Sequence, residues 1–279
     1  SAGRLRRIYT IPPPCDIINS MYALSNADST LRDLLVFRFA GNRYGGDWTL
    51  SGHKFGNLML TALTSKMGSF TEALAYMQRL FKTTGIILPA TSEGVKIKAV
   101  TTDGVIVEGE ENIDLGKYNG KRSLERVYLV PKRAKASKEA IAAIKNADVI
   151  IAGPGDLYTT ILPVLLVEEI RRGIEKSKAL KLFIVNVANK PFETPQYKVS
   201  DYVNAIAKHC GSTLFRYFLV NTNHEPKIPR KFKYEYVILE KGSEQSLNGM
   251  VRTGDLVDEG FPLYHDPKKL SACIMRVIV

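Results

Sequence analysis

Residues 14–85 carry the pattern of amphipathic helices, with apolar side chains recurring every three or four positions. This spacing predicts helices over residues 16–24, 29–39, 55–67 and 70–85. We expect Asp16, Ser29 and Ser69 to cap three of them, because short polar side chains accept hydrogen bonds from the first backbone N–H groups of a helix. Gly85 then ends the last of these helices.

A block at about 86–130 is richer in strand signals than the segments on either side of it. Asp103-Gly104 suits the positive φ angles of a type I′ turn, which joins two antiparallel strands. The alternation of apolar and polar residues predicts strands at 95–99, 105–107 and 127–130, after a short apolar run at 86–88. We therefore expect a β-hairpin excursion in the middle of the chain.

Helical and strand patterns alternate from residue 137 onwards. The predicted helices are 138–147, 162–174 and 201–209, and the apolar strands are 149–151, 182–185 and 218–220. Apolar strands separated by helices indicate a mainly parallel sheet that is covered by helices on both faces. The chain is therefore predicted to have an α/β fold.

The most informative local feature is the Gly153 loop, which is the segment Gly153-Pro154-Gly155. It follows the strand at 149–151 and precedes a predicted helix. Glycines let the backbone come close to a phosphate, and the helix start offers N–H groups and a partial positive charge. Thr159 and Thr160 would add hydroxyl donors. The same segment also fits a plain strand-to-helix turn, so both interpretations stay open.

The Gly153 loop cannot form a whole binding site. A helix terminus stabilises an anion by roughly 0.3–1 kcal/mol, whereas micromolar binding needs about 8 kcal/mol. Other donors must converge on the ligand, and the candidates are Arg4, His53, Asn57 and Asn186. Asn186 follows the strand at 182–185, so we expect it at the same sheet edge as Gly153.

Composition narrows the class of ligand. The formal net charge is +11, which attracts anions, but no nucleic-acid-binding motif accompanies the basic residues, and we do not expect nucleic acid as the partner. No apolar run approaches the roughly 20 residues that span a bilayer. Three cysteines without paired spacing, and no secretory signal, favour a cytoplasmic protein. A homodimer is compatible with the sequence.

Several segments taken together resemble the bacterial gluconeogenesis factor family, whose members look like relatives of the CofD 2-phospho-L-lactate transferases. The matching segments are Ser1–Arg7, Gly52–Leu58 and Gly153–Pro163, with weaker matches at Asn112-Ile113 and His265-Asp266. The resemblance implies a single Rossmann-like three-layer α/β domain over residues 1–279. It also implies a strand, a glycine-rich loop and an acidic stretch upstream of Ser1. Those acidic residues would hold a metal, so no metal ligand is assigned in this chain.

The resemblance, together with the candidates above, implies a ligand-binding set. Its members are Ser1, Gly3, Arg4, Asp16, Asn19, His53, Gly56, Asn57, Gly153, Pro154, Gly155, Asp156, Tyr158, Thr159, Thr160, Asn186 and His265. The chain departs from the family pattern at Cys15, Ile18 and Tyr264, where the family has glycine, arginine and arginine. Basic contacts to the ligand are therefore expected to differ at two positions.

Three hypotheses of function follow. The leading one is a non-catalytic regulator that binds a UDP-sugar or related nucleotide and is linked to cell shape, cell-wall synthesis and gluconeogenic growth. The second is a magnesium-dependent phospholactyl transferase of the CofD type, and the third is a basic RNA-binding or scaffold protein. No other cofactor is implied. Under the leading hypothesis, Gly153→Val or Gly155→Val is expected to abolish ligand binding and leave the fold intact.

Overall fold

The computed structural model describes residues 5, 9, 11–12, 14–40, 50–119, 123–240, 242 and 250–279. Its contacts divide the chain into two units, Ser1–Val95 and Lys96–Val279. The expectation of one domain over residues 1–279 stays a prediction.

The first unit is helical where it is described. Its helices are α1 (Cys15–Leu24), α2 (Ser29–Leu34), α3 (Phe55–Met67) and α4 (Phe70–Leu80). Their apolar faces meet in one core that includes Ile18, Met21, Leu60, Leu74 and Met77. The helical periodicity of the sequence therefore identified the elements of this unit correctly.

Two of the predicted caps in this unit are wrong. Asp16 lies inside the first turn of α1, and Pro14 occupies the cap position. Asp28, rather than Ser29, accepts the N–H of Leu31 and caps α2. Helix α2 also ends at Leu34 instead of continuing to residue 39.

The cap predicted at Ser69 is confirmed, since its hydroxyl accepts the N–H of Glu72. Helix α4 ends five residues before Gly85, at Leu80, and the left-handed φ of +48° at Lys82 follows this end. The predicted stop at Gly85 is therefore wrong.

The second unit begins with a three-stranded antiparallel sheet. Its strands are β1 (Lys96–Thr101), β2 (Ile106–Glu108) and β3 (Leu124–Val130), in the order β2–β1–β3, and the short helix α5 (Glu110–Asp114) follows β2. The predicted hairpin excursion is confirmed, although the apolar run at 86–88 forms no strand.

The hairpin turn is not of type I′. Among the described residues, positive φ occurs here at Gly104 and not at Asp103, and Gly104 N donates to Thr101 O. Thr102 and Asp103 are therefore the central residues of the turn, and a left-handed glycine follows them.

A four-stranded parallel sheet forms the centre of the second unit. The remaining strands are β4 (Val149–Ala152), β5 (Leu180–Ile184), β6 (Ala188–Asn189), β7 (Tyr217–Asn221), β8 (Glu235–Tyr236) and β9 (Met250–Gly254). The parallel sheet has the order β4–β5–β7–β9, and β6 pairs with β8 separately. The helices are α6 (Lys138–Asn146), α7 (Leu162–Leu165), α8 (Glu168–Lys176), α9 (Val199–Cys210) and α10 (Pro267–Ile278).

Both faces of this sheet are covered, as the predicted α/β class requires. Leu182 and Ile184 face a core that α10 completes with Leu270 and Ile274. Phe183, the intervening residue, lies on the opposite face and is fully buried. Strand β9 and helix α10 were not predicted, and the predicted helix 162–174 is divided into α7 and α8. No helix among the described residues is long and apolar enough to cross a membrane.

Candidate functional site

The Gly153 loop lies at the carboxyl end of β4, where open parallel sheets bind ligands. Gly153 has a φ of +88°, and a Cβ atom there would lie 2.9 Å from the carbonyl oxygen of Ile184 on β5. Only glycine fits both conditions. Pro154, which follows a cis peptide bond, is exposed, while Gly153 and Gly155 are half-buried. The loop therefore packs closely on β5 and keeps an open side.

The two residues that follow β5 contact the loop and His265. Gly155 N donates to Asn186 Oδ1 at 3.3 Å, which confirms that Asn186 lies at the sheet edge of Gly153. His265 Nε2 lies 3.2 Å from the carbonyl oxygen of Val185. Three of the predicted site residues are thus brought to one place.

His265 is a neutral side chain at physiological pH. Burial lowers its pKa to about 4, although the Val185 carbonyl opposes this effect. Because a carbonyl oxygen can only accept, the Nε2 atom carries the proton and Nδ1 is left as an acceptor. The neighbouring Asp266 accepts the N–H groups of Lys268 and Lys269 and caps α10. The Asp266 side chain therefore serves as the cap of α10.

The start of the helical turn after the loop departs from the sequence interpretation. Residues Leu157–Ile161 form a π-helical turn. The N–H groups of Tyr158 and Thr159 donate to Glu193 Oε2 at 3.0 and 3.2 Å, and the Thr159 hydroxyl donates to Glu193 Oε1 at 2.7 Å. A carboxylate of the protein thus binds the groups that were predicted to face a phosphate. A direct role for the Thr159 hydroxyl in ligand binding stays a prediction.

Tyr158 and Thr160 support the loop from the protein side. Tyr158 is buried, and its hydroxyl contacts the Leu124 carbonyl at 3.3 Å and the Tyr197 hydroxyl at 2.8 Å. The Thr160 methyl group lies 3.4 Å from the position of a Cβ on Gly155. Tyr158 therefore anchors the turn, while half-buried Thr160 packs against the loop itself.

A charged network adjoins the loop through Asp156. The Lys190 ammonium is bonded to Asp114, lies 2.6 Å from Asp156 Oδ2 and 3.7 Å from Glu193 Oε1. Burial opposes the charge on Lys190, but Asp156 and Glu193 outweigh it and hold the lysine pKa above its usual value. Burial, followed by the Asp156 charge, raises the pKa of Glu193 to about 7.

The three carboxylates of this network lie around an ammonium group. Oxygen atoms of Asp114, Asp156 and Glu193 lie within 4.8 Å of one another. The Lys190 ammonium lies among them and is ion-paired with each of the three. We therefore describe the cluster as an ion-pair network.

Sequence reasoning missed Lys190, Glu193 and Asp114. Lys190 and Glu193 lie three residues apart in the segment after Asn186, which is the only local signal. Nothing in the sequence pattern shows that a carboxylate 34 residues beyond Thr159 binds that residue. The contact between Glu193 and Thr159 forms only because the folded chain brings Glu193 beside the turn that follows the Gly153 loop.

The described site residues of the first unit lie on α1 and around the start of α3. His53 and Asn57 are buried, and Lys54 Nζ lies 2.6 Å from Asn19 Oδ1. Lys54 occupies the cap position of α3. A Cβ on Gly56 would lie 2.6 Å from the Leu35 carbonyl oxygen. These contacts bring Asn19 close to the start of α3.

Four other predicted site residues lie on α1 or outside the described residues. Asp16 lies on α1, where it is exposed and interacts with another group of the protein. Ser1, Gly3 and Arg4 lie outside the described residues. Their proposed contacts with a ligand remain predictions.

Comparisons with known proteins agree with this architecture. The family model described as 2-phospho-L-lactate transferase CofD matches residues 1–250. A putative gluconeogenesis factor of Aquifex aeolicus is 40% identical over 100% of this chain and 84% of its own length. The gluconeogenesis factor of Bacillus subtilis is 41% identical over 84% of this chain and 72% of its own length. The chain spans 61% of a longer putative gluconeogenesis factor from Clostridium acetobutylicum, at 36% identity.

A solved structure shows the same fold. A protein of Bacillus halodurans, described as a member of the UPF0052 family, superimposes with a TM-score of 0.89 at 37% identity. The match covers 99% of this chain and 86% of that one. The family model and the similar proteins agree with the parallel sheet and the loop geometry. The chain therefore belongs to the CofD-like family, which includes the gluconeogenesis factors.

Proposed function

We propose that this protein binds a nucleotide-sugar of the UDP-sugar type at the Gly153 loop and acts as a non-catalytic regulator. The observation that supports the proposal most directly is the loop geometry. Gly153 lets the backbone pass against β5 without a side chain, and the open side of the loop lies at the carboxyl ends of parallel strands. Asn186 and the neutral His265 adjoin it and offer polar groups that suit a sugar or nucleoside.

The net charge of +11 supports an anionic ligand, because such a field raises its local concentration. The names of the relatives add the biological setting, since gluconeogenesis factors are named for gluconeogenic growth. We propose that nucleotide-sugar binding connects carbon supply with cell-wall synthesis and cell shape in the cytoplasm.

Calorimetric titration with UDP-N-acetylglucosamine tests this function. We expect a saturable exothermic or endothermic signal at submillimolar to millimolar ligand, and weaker signals with GDP. A folded protein that gives no heat at millimolar UDP-N-acetylglucosamine would contradict the proposal.

The Gly155→Val variant tests whether the ligand binds at the Gly153 loop. A Cβ at Gly155 lies 3.4 Å or more from its neighbours and φ is not in the left-handed region, so the fold should accept the substitution. The two added methyl groups would cover the open side of the loop, and we expect affinity to fall by about tenfold or more, or about 1.4 kcal/mol. Gly94→Val is the matched control, because no atom lies within 4 Å of its Cβ position. Equal affinity in both variants would place the ligand elsewhere.

The description of the family model favours a second function, transfer of a phospholactyl group. It predicts turnover of a guanosine-diphosphate-linked phospholactate in the presence of magnesium. Phosphorus NMR of the substrate, with and without a deazaflavin acceptor, distinguishes this activity from binding alone.

A further inference from the structure

The carboxylate of Glu193 occupies the position that a bound phosphate takes at many helix starts. Its side chain is fully buried. It accepts both N–H groups, from Tyr158 and Thr159, and the Thr159 hydroxyl. A negative group is stabilised at this end of a helical turn by the unpaired N–H groups and their partial positive charge. Here the negative group belongs to the protein itself.

Lys190 holds the other side of the same segment. Its ammonium lies 2.6 Å from Asp156, which directly precedes the turn. Lys190 and Glu193 belong to one short stretch of chain, so they fix residues 156–159 from the protein side. The stretch is itself held, because Lys190 N donates to the Thr194 hydroxyl at 3.1 Å, and Thr194 N donates to the Lys190 carbonyl at 3.0 Å.

The opposite end of the loop is fixed on β5. Asn186 accepts the Gly155 N–H, and Gly153 packs against the Ile184 carbonyl. The segment open to a ligand therefore lies between two anchors. A binding segment that is held in its bound conformation loses less entropy when the ligand arrives, so its affinity depends on these anchors.

We infer that Glu193 is a positioning residue, which holds the start of the 157–161 turn and thereby sets the Gly153 loop for its ligand. The inference rests on the proposed function. Glu193 cannot touch the ligand, since none of its surface is exposed. It acts through the N–H groups of Tyr158 and Thr159.

The ionised form of Glu193 is the form that holds the turn, since it accepts at both oxygens. Burial and Asp156 raise its pKa to about 7, against Lys190 and the hydrogen bonds from Thr159 and Tyr158. The charged and titratable groups that face it are Asp114, Asp156, Tyr158, Lys190 and Tyr202. Ligand affinity is therefore expected to fall as the pH falls through this value.

The experiment compares the full chain with Glu193→Gln. Dissociation constants for UDP-N-acetylglucosamine are measured between about pH 6 and pH 8. For the unsubstituted protein we expect affinity to fall about tenfold over this range, because about a tenth of Glu193 is ionised one unit below its pKa. Glu193→Gln should bind more weakly at pH 8 and show no such dependence. This variant keeps every histidine, so the difference isolates Glu193.

Glu169→Gln is the matched control. Glu169 also accepts a backbone N–H, from Ala136 at 2.7 Å, but it lies on α8, on the exposed surface of that helix. The Glu169→Gln variant should retain both the affinity and the pH dependence of the unsubstituted protein. If Glu193→Gln fails to fold, Thr159→Val removes one of the three hydrogen bonds and should raise the hydrogen exchange of the Tyr158 and Thr159 amides, by a smaller factor, without any ligand present.

Hydrogen exchange of the peptide 153–161 provides a readout that needs no ligand. Glu193→Gln should raise the exchange of the Tyr158 and Thr159 amides at least tenfold at pH 8, and Glu169→Gln should not. Unchanged exchange, or a Glu193→Gln affinity equal to that of the unsubstituted protein, would overturn the inference. If the unsubstituted protein binds no UDP-sugar at any pH, the proposed function fails, and the exchange data alone decide whether Glu193 holds the loop.

Discussion

Individual residues at the candidate site are constrained by their nearest backbone atoms. Gly153 combines a φ of +88° with a Cβ position 2.9 Å from the Ile184 carbonyl oxygen. Gly155, two residues later, has neither constraint. The expectation that valine at either glycine spares the fold therefore applies only to Gly155, and we expect Gly153→Val to destabilise the protein.

Gly153→Ala measures this constraint with the smallest added group. The left-handed conformation and the contact with β5 together are expected to lower the free energy of unfolding by about 1–3 kcal/mol. Urea denaturation provides the measurement, and Gly94→Ala, which has open space around it, is the control. Equal midpoints for the two variants would show that β5 moves to accept the methyl group.

His265 gives a pH dependence of stability. Its pKa is about 4 in the folded chain and 6.5 when unperturbed, so the unfolded chain binds the extra proton between these values. The contribution to stability is full above pH 6.5 and is lost as the pH falls towards 4, by up to about 3 kcal/mol. His265→Asn keeps an N–H donor for the Val185 carbonyl and should lose less stability over this range. Parallel curves of unfolding free energy against pH for the two proteins would contradict the lowered pKa of His265.

At the scale of elements, packing decides whether a glycine in a helix is required. In α3, a Cβ at Gly56 would lie 2.6 Å from the Leu35 carbonyl oxygen and 2.8 Å from Ile18 Cγ2. In α8, a Cβ at Gly173 would make ordinary contact at 3.4 Å with Ile144 Cγ2. Sequence periodicity treats both glycines as weak helix residues, whereas only the first lies at a close approach between elements.

Gly56→Ala should therefore destabilise the protein, whereas Gly173→Ala should not. We expect Gly56→Ala to cost about 1–3 kcal/mol through overpacking, and Gly173→Ala to be neutral or to stabilise by up to about 1 kcal/mol through helix propensity. Thermal and urea denaturation of both variants test this pair. A stabilised Gly56→Ala protein would mean that α1 and the segment after α2 shift readily.

For the whole molecule, the charge of +11 acts on every anion and not on one ligand. Several lysines are already ion-paired, including Lys98 with Glu108 and Lys269 with Asp255. Nonspecific binding to nucleic acid by such a surface is weak at physiological salt, with a dissociation constant of about 10⁻⁴–10⁻⁶ M.

We accordingly expect no RNA mobility shift at about 0.1 μM protein, which is below this range of dissociation constants, and about 0.15 M salt, while UDP-N-acetylglucosamine still binds in the calorimeter. Parallel gel-shift and calorimetric measurements at several salt concentrations make the comparison. Tight RNA binding with a steep salt slope, and no binding of the UDP-sugar, would favour the RNA-binding or scaffold hypothesis.

The sequence by itself determined the class of the fold and the position of the Gly153 loop. Spacing of apolar residues reports which side of a helix or strand is buried, and this information is local. It therefore identified α3, α4, β5 and the hairpin at Gly104, and it placed Asn186 at the correct sheet edge.

Only the tertiary structure decided which groups occupy the start of the turn after the loop. The bond between Glu193 and Thr159 joins residues 34 positions apart and exists because β4 and β5 lie side by side. The same holds for the close approach of Gly153 to Ile184. Sequence pattern gives the direction of burial, but the pairing of a buried carboxylate with particular N–H groups depends on how distant segments meet. That pairing makes the start of the turn an internal anchor for the loop.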